Sequence, residues 1–493
     1  MTSAARVETV ATLTIDGHDV AGDSGTYPVH DPGRPGEVVV DAPCASAAQV
    51  DLAVRSADDA ARGWAETSLD DRRRQVVAAA RAATATSEES DLATLLTREN
   101  GKVLSESQFE VATIAAVAET FSDLAPAALS PQRFSGGGEV TVQPYGVVAA
   151  LLPFNWPVSV LVSKVAPALI AGNTVVVKPP PTCPGAVLAV AHTMAAALPP
   201  GVLNTVNGPG VDIGEALVGH PSVSMVSITG GARTGRAVMQ NAGARLVPGL
   251  LELGGNDAAI VAPDVEPDEA LADELLAAAL LTSGQVCMAL KRLYVPAEHL
   301  DAFTEALVAR AATTVTGHGL TDGTTVGPVH TAHAAERAEA QLVEAATFGA
   351  TVHRPGALRV GLAESGGHYV VPAVVAGPPP DAAIVREEQF APLLPVLGYR
   401  DLDEAVAAAN DSRYGLGASV WSGDDELTET IARRLHAGTV FRNAHGPGAL
   451  DPRLPFGGWK ESGIGSEYGA EGLRAYTRSR ALPPARPLPG VAG

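Results

Sequence analysis

Apolar residues recur at spacings of three and four through SAAQVDLAVRSADDAARGWAE (46–66) and LDDRRRQVVAAARAATATSEESDLATLLTREN (69–100), which predicts two amphipathic helices. A third runs through SESQFEVATIAAVAETFSDL (105–124), and SPQRFSGGG then breaks the period. EVTVQPYGVVAALLPF (139–154) alternates apolar and polar residues as strands do. From Val158 the pattern switches regularly between the two periods. Helices are expected at 158–171, 184–198, 211–219 and 234–242, with strands NTVVVK, VLNTVNG, VSMVSITG and VPGLLELGG between and after them. A second alternating series fills 257–445, with strands DAAIVA, RLYVP, YVVPAVVA, LLPVLGY and ASVWS and helices at 298–314, 334–348, 402–410 and 424–436. Short β-branched runs separated by helices indicate parallel sheets covered on both faces, so the fold class is α/β with two such units.

A chain of 493 residues exceeds a single core and has room for a cleft between units. The formal charge of −21 disfavours nucleic acid or an anionic membrane surface as partner, since both reward a basic face. The N-terminal MTSAARVETVATLTIDGHDV lacks a basic segment followed by an apolar run, and no long uninterrupted apolar window follows, so a cytoplasmic protein is expected. Cys44, Cys183 and Cys287 form no CxxC or Cys/His spacing, so neither a metal site nor a disulfide framework is expected. The Pro-rich end, LPPARPLPGVAG, reads as a loose or docked tail.

The segment LLTSGQVCMALKR (280–292) places Cys287 after a Ser-Gly-Gln-Val run that weakens a helix. The thiol is either a packed core residue or a nucleophile. A nucleophile needs an oxyanion donor and a base. Asn155, between two prolines in LLPFNWPV, offers an amide donor or an N-cap. Glu252, at the end of the apolar LLELGGN, offers a base with a raised pKa or an edge carboxylate. VSITGGARTG sets Gly230, Gly231 and Gly235 at a strand-to-helix joint, either cradling a phosphate or closing a tight turn. Lys178 ends an apolar strand in a chain with five lysines against twenty-nine arginines, where it meets a ribose or simply solvent.

Taken in order, PFNWP, GNTVVVKPP, ITGGARTG, LELGGND, SGQVC, EEQFAP, NDSRYGLGASVW and PFGGWKESGIG resemble the aldehyde dehydrogenase superfamily, over about residues 20 to 480. The resemblance implies a Rossmann-like cofactor domain (1–123 and 145–253), a second α/β catalytic domain (254–461), and a small β oligomerisation element with a tail (124–144 and 474–493). It implies Cys287 as nucleophile, Glu252 as general base, and Asn155 as oxyanion donor together with the Cys287 backbone N–H. NAD or NADP would meet Lys178 at the adenosine ribose, Pro181, Gly230, Gly231 and Gly235, with Glu388 at the nicotinamide ribose, Phe390 near the nicotinamide end, and Trp156 at the junction with the aldehyde entrance. Leu281, Met288, His445 and Phe456 would surround a small-molecule aldehyde, and no metal is implied.

Glu252 points to the hydrolysing branch rather than the one that passes the acyl group to coenzyme A. Pro181 replaces a glutamate common in NAD-preferring members, which leaves NADP open, and Arg233 either adds charge there or is a surface arginine at the helix start. An apolar aliphatic or aromatic aldehyde is the expected substrate, and a homodimer or homotetramer the expected assembly. A cofactor-independent cysteine esterase or thioesterase, or a non-catalytic protein on the same fold, are the competing readings.

Overall fold

A computed structural model describes residues 11–485, so the first ten residues and the end of the Pro-rich tail lie outside the described residues. The first sheet has six strands in the order Gly463–Ile464, Gly249–Glu252, Val223–Thr229, Val147–Leu151, Thr174–Lys178, Leu203–Thr205. All are parallel except Gly463–Ile464, which returns late in the chain to pair antiparallel with Gly249–Glu252. The chain winds outward in both directions from Val147–Leu151, so the order reverses between that strand and Val223–Thr229. At such a switch point the loops leaving the carboxyl ends diverge and open a crevice. Asn155, Lys178, Gly230 and Glu252 all stand at or just beyond those ends.

Strand alternation divides the core. Val148, Ala150, Val175 and Val177 pack with helices Pro157–Ile170 and Gly185–Ala196, while Val147, Ala149, Val176 and Ile228 pack with Ala47–Glu66, Val211–Gly219 and Ala232–Gly243. The second sheet has seven strands in the order Thr351–His353, Ala373–Ala376, Leu393–Tyr399, Leu290–Pro296, Asp257–Val261, Gly417–Trp421, Thr439–Arg442. It too is parallel except at the edge strand Thr351–His353, with Ala258 and Ile260 facing one apolar layer and Ala259 and Val261 the other. A separate three-stranded antiparallel sheet joins Thr477–Leu482, Glu139–Pro144 and Gln132–Arg133.

The alternating units form where the pattern placed them, but the first third differs. The helix expected over 69–100 is two helices, Leu69–Glu89 and Leu92–Asn100, broken at Asp91 with φ +52°. Glu88, Glu89 and Asp91 crowd a helix C-terminus, where the macrodipole disfavours negative charge. The next helix divides as Leu104–Ala112 and Ile114–Ala128 around Thr113, so the expected boundary at 123/124 falls inside a helix. Two hairpins precede all of these, Leu13–Ile15 with His18–Val20 and Thr26–Asp31 with Arg34–Pro43. Helix Glu269–Leu280 is likewise absent from the sequence reading, because alanine and leucine on every side blur its period.

Candidate active site

Cys287 follows a turn in which Thr282, Ser283 and Gly284 take φ of +51°, +56° and +71°. Two non-glycine residues in the left-handed region are unfavourable and persist only where the surroundings over-determine them. Here Thr282 donates from N and Oγ1 to Glu106 (2.9 and 3.1 Å), and Ser283 Oγ donates to Gly327 O (2.9 Å). His330 N donates to Gln285 Oε1 (2.9 Å). At Gly284 a Cβ would strike the Ala391 carbonyl. The turn therefore presents a fixed Cys287, partly exposed and lining a cavity of about 660 Å³. Burial pushes the thiol up to about 12; Lys291 opposes the shift, and Glu388, Asp257 and Glu252 add to it.

Asn155 lines the same cavity, and its Nδ2 donates to Gln285 O (2.9 Å), two residues before the thiol. It is not a helix cap: the first amides of Pro157–Ile170, on Val158 and Ser159, donate to buried Glu110 (2.7 and 2.9 Å). The capping alternative is thereby excluded. Asn100 Nδ2 holds the loop by donating to Phe154 O (2.7 Å).

Glu252 is 4% exposed, and neither carboxylate oxygen has a hydrogen-bond partner. Burial raises its pKa well above the usual range; the Glu467 carboxylate adds to the shift and Lys164 opposes it. Lys164 and Glu467 form a buried ion pair, and Lys164 also donates to Ser227 Oγ (3.1 Å). Leu253 and Gly254 line the cavity whereas Glu252 does not, so the carboxylate is withdrawn toward that buried pair.

Lys178, Pro181, Gly230, Gly231, Glu388 and Phe390 line the cavity, which reaches the N-terminal end of Ala232–Gly243. Amides and dipole there suit a phosphate. Lys178 Nζ has only a long contact with Pro179 O (3.4 Å), and burial lowers its pKa to about 8. Gly235 stands apart from its expected place: a Cβ there would meet the Leu253 side chain, so it serves helix packing rather than the cavity. Arg233 is exposed and does not line the cavity.

Trp156, Leu281, Met288 and Phe456 gather with Cys287 in one apolar cluster. Trp156 does not line the cofactor-sized cavity; its Nε1 donates to Thr282 Oγ1 (3.1 Å) and Phe109 meets it edge-on at 6.2 Å. His445 does not reach that cluster's opening, because its side chain is wholly buried. Its Nδ1 lies 2.9 Å from Ser419 Oγ and its Nε2 3.7 Å from Asp257, while burial and then Lys291 lower its pKa to about 3. Among the described residues no group of three or more His, Cys, Asp and Glu could hold a metal ion.

The sequence reading passed over three groups. Lys291 donates to Cys287 O (2.7 Å), Gly255 O (3.0 Å) and Glu388 Oε1 (2.7 Å). His330 stacks on Phe154 at 4.1 Å and sits 2.6 Å from Thr182 Oγ1, tying the proline loop to the turn before Cys287. Tyr468, at φ +55°, packs against the cluster around Cys287. Only the lysine carried a signal, its scarcity against twenty-nine arginines, and in the structure four of the five lysines, Lys102, Lys164, Lys178 and Lys291, are buried.

Residues 20–482 match the aldehyde dehydrogenase family. The chain is 37% identical to a geranial dehydrogenase of Castellaniella defragrans, over 90% of this chain and 93% of that one. It is 35% identical to an NADP(+) succinate-semialdehyde dehydrogenase of Deinococcus radiodurans, over 93% and 95%. A mutant aldehyde dehydrogenase C of Pseudomonas syringae, solved with NAD+ and octanal, superposes with TM-score 0.90 at 34% identity, covering 97% of this chain and 98% of that one. No helix among the described residues is long and apolar enough to cross a membrane. The turn that fixes the thiol, the amide beside it and the crevice at the sheet's switch point thus belong to a member of the aldehyde dehydrogenase family, an NAD(P)-dependent oxidoreductase.

Proposed function

We propose that the chain oxidises an apolar aliphatic or aromatic aldehyde to its carboxylic acid through a thioester on Cys287. The observation that carries this is the joint placement of Cys287, the anchored Asn155 amide and Glu388 on one cavity. The cavity fits a dinucleotide: a helix N-terminus, an under-coordinated Lys178 and an ordered Glu388 all line it. NAD(P)+ bound there is the hydride acceptor. Sulfur adds to the aldehyde carbon, and the thiol proton passes to solvent through the open cavity. Asn155 Nδ2 and the Cys287 N–H donate to the new alkoxide. Loss of hydride from the former aldehyde carbon leaves the thioester. Glu252, turned toward the thioester, takes a proton from water, the water oxygen displaces sulfur, and the acid departs. Replacing Asn155 by alanine should lower kcat about 10²-fold to 10³-fold, the usual cost of one oxyanion donor, with the aldehyde KM changing far less. Initial rates over an aldehyde series test this and the apolar preference together. Equal rates for apolar and acidic aldehydes would remove the preference.

Pro181 supports acceptance of either cofactor. Its carbonyl accepts from Tyr27 Oη (2.9 Å), which fixes the loop, and no carboxylate stands at that position to repel a 2′-phosphate. Pro181→Glu should weaken NADP relative to NAD by about tenfold to a hundredfold, the scale of one unit-charge repulsion in a partly shielded site. Comparison of kcat/KM for the two cofactors measures it, and an unchanged ratio would count against the loop's role.

We place domain boundaries beyond helix Ile114–Ala128, near 129–145, and near 253, and assembly on the three-stranded sheet. Among the described residues Thr477–Leu482 pairs on one side only, and Phe134, next to the sheet, and Leu482, at the end of that strand, are exposed, an arrangement that favours a homodimer or homotetramer. The free thiols of Cys44, Cys183 and Cys287 suit the reducing cytoplasm.

A further inference from the structure

Lys291 is 2% exposed, and its three ammonium protons have three acceptors in reach: Gly255 O (3.0 Å), Cys287 O (2.7 Å) and Glu388 Oε1 (2.7 Å). Such a tripod leaves the cation little freedom. Glu388 is held a second time, by Gly255 N (3.1 Å), and its carboxylate fills the space that a side chain on Gly254 would need. Two strands of the second sheet are therefore not the only link between nucleophile and cofactor carboxylate. The link also runs through one charged side chain.

We propose that Lys291 is a positioning residue that locks the Cys287 main chain and the Glu388 carboxylate into one unit, so that a single buried cation governs both thiol reactivity and the cofactor contact. This rests on the reading of Glu388 as the carboxylate that meets the nicotinamide ribose. With Oε1 committed to Lys291 and Gly255, Oε2 remains for a ribose hydroxyl. The charged groups around the thiol come from four segments: Lys291 favours its ionised form, while Glu388, Asp257 and Glu252 oppose it. Lysine and glutamate of one ion pair thus act on the sulfur with opposite signs.

That opposition separates the proposal from a purely structural role, in which loss of either partner loosens the site in the same way. The measurement is the rate at which iodoacetamide alkylates Cys287 in the full-length protein without cofactor, across pH, followed by peptide mass spectrometry. Lys291→Met should slow alkylation at neutral pH about tenfold, the equivalent of a thiol pKa raised by one unit, and Glu388→Gln should speed it. Lys291→Gln keeps donors without the charge and should slow alkylation as Lys291→Met does, including where the methionine variant fails to fold. Cofactor affinity, read by quenching of intrinsic fluorescence, should weaken about tenfold in the Lys291 and Glu388 variants, one charge-assisted hydrogen bond's worth. Alkylation that moves in the same direction for lysine and glutamate variants, or in neither, overturns the proposal. Unchanged affinity in Glu388→Gln overturns the ribose contact alone, and the alkylation contrast still decides the role of Lys291.

Discussion

Cys287→Ala should abolish aldehyde-dependent reduction of NAD(P)+, with a loss of at least about 10⁴-fold in kcat, because no second group can form the covalent intermediate. The other thiols cannot substitute. Cys183 is wholly buried against Glu99, and Cys44 lies outside the cavity. The variant should remain folded, since the turn before Cys287 is held by Glu106, Gly327 and His330 rather than by sulfur. Cofactor binding should survive, because the Cys287 contribution to the Lys291 tripod is a backbone carbonyl that alanine keeps. Reduced cofactor is followed by absorbance and binding by fluorescence. An alanine variant that still reduces cofactor would end the thioester mechanism. One that no longer binds cofactor would show that the substitution disturbed the cavity.

The two sheets were legible because short, near-continuous apolar runs bounded by turn residues and separated by helical segments, such as TVVVK and DAAIV, mark strands buried on both faces. The N-terminal strands were not legible. Thr26–Asp31 and Arg34–Pro43 are half-exposed and contain prolines, and their pairing depends on packing that no local window contains. At the site, Cys287, Asn155 and Glu388 were readable from ordered motifs, and the structure brings all three to one cavity. His445 was misplaced because a histidine beside glycines looks like an open loop, whereas its ring fits between Phe441 and Ser419 inside the protein. Gly235 was misplaced for a related reason: a glycine near a phosphate-binding turn also permits close helix packing, and only the position of Leu253 decides between them. Lys291 went unread because it precedes Arg292 at the start of a strand, where a lysine ordinarily faces solvent.

Glu252→Gln should still reduce cofactor in a first burst and then turn over about 10²-fold to 10⁴-fold more slowly, the range in which a positioned base contributes. Glutamine keeps the size of the side chain but cannot take a proton from water, so the acyl group stays on Cys287. The pH dependence follows from the environment. Burial and the Glu467 carboxylate hold the Glu252 pKa well above its ordinary 4.5, so the catalytic carboxylate is lost as pH falls through that raised value. Wild-type turnover should therefore rise with pH on its acid limb, and the residual turnover of the variant should lack that limb. Stability moves in the opposite sense. Above the ordinary carboxyl pKa the unfolded chain ionises Glu252 while the folded chain resists, which makes the residue increasingly destabilising until pH reaches its raised value. Glu252→Gln should thus melt at a higher temperature than wild type at pH 8, and the difference should close as pH falls toward the ordinary carboxyl range. A variant that melts lower than wild type at pH 8, or that turns over at the wild-type rate, would mean that the withdrawn carboxylate is a paired structural group and not the base.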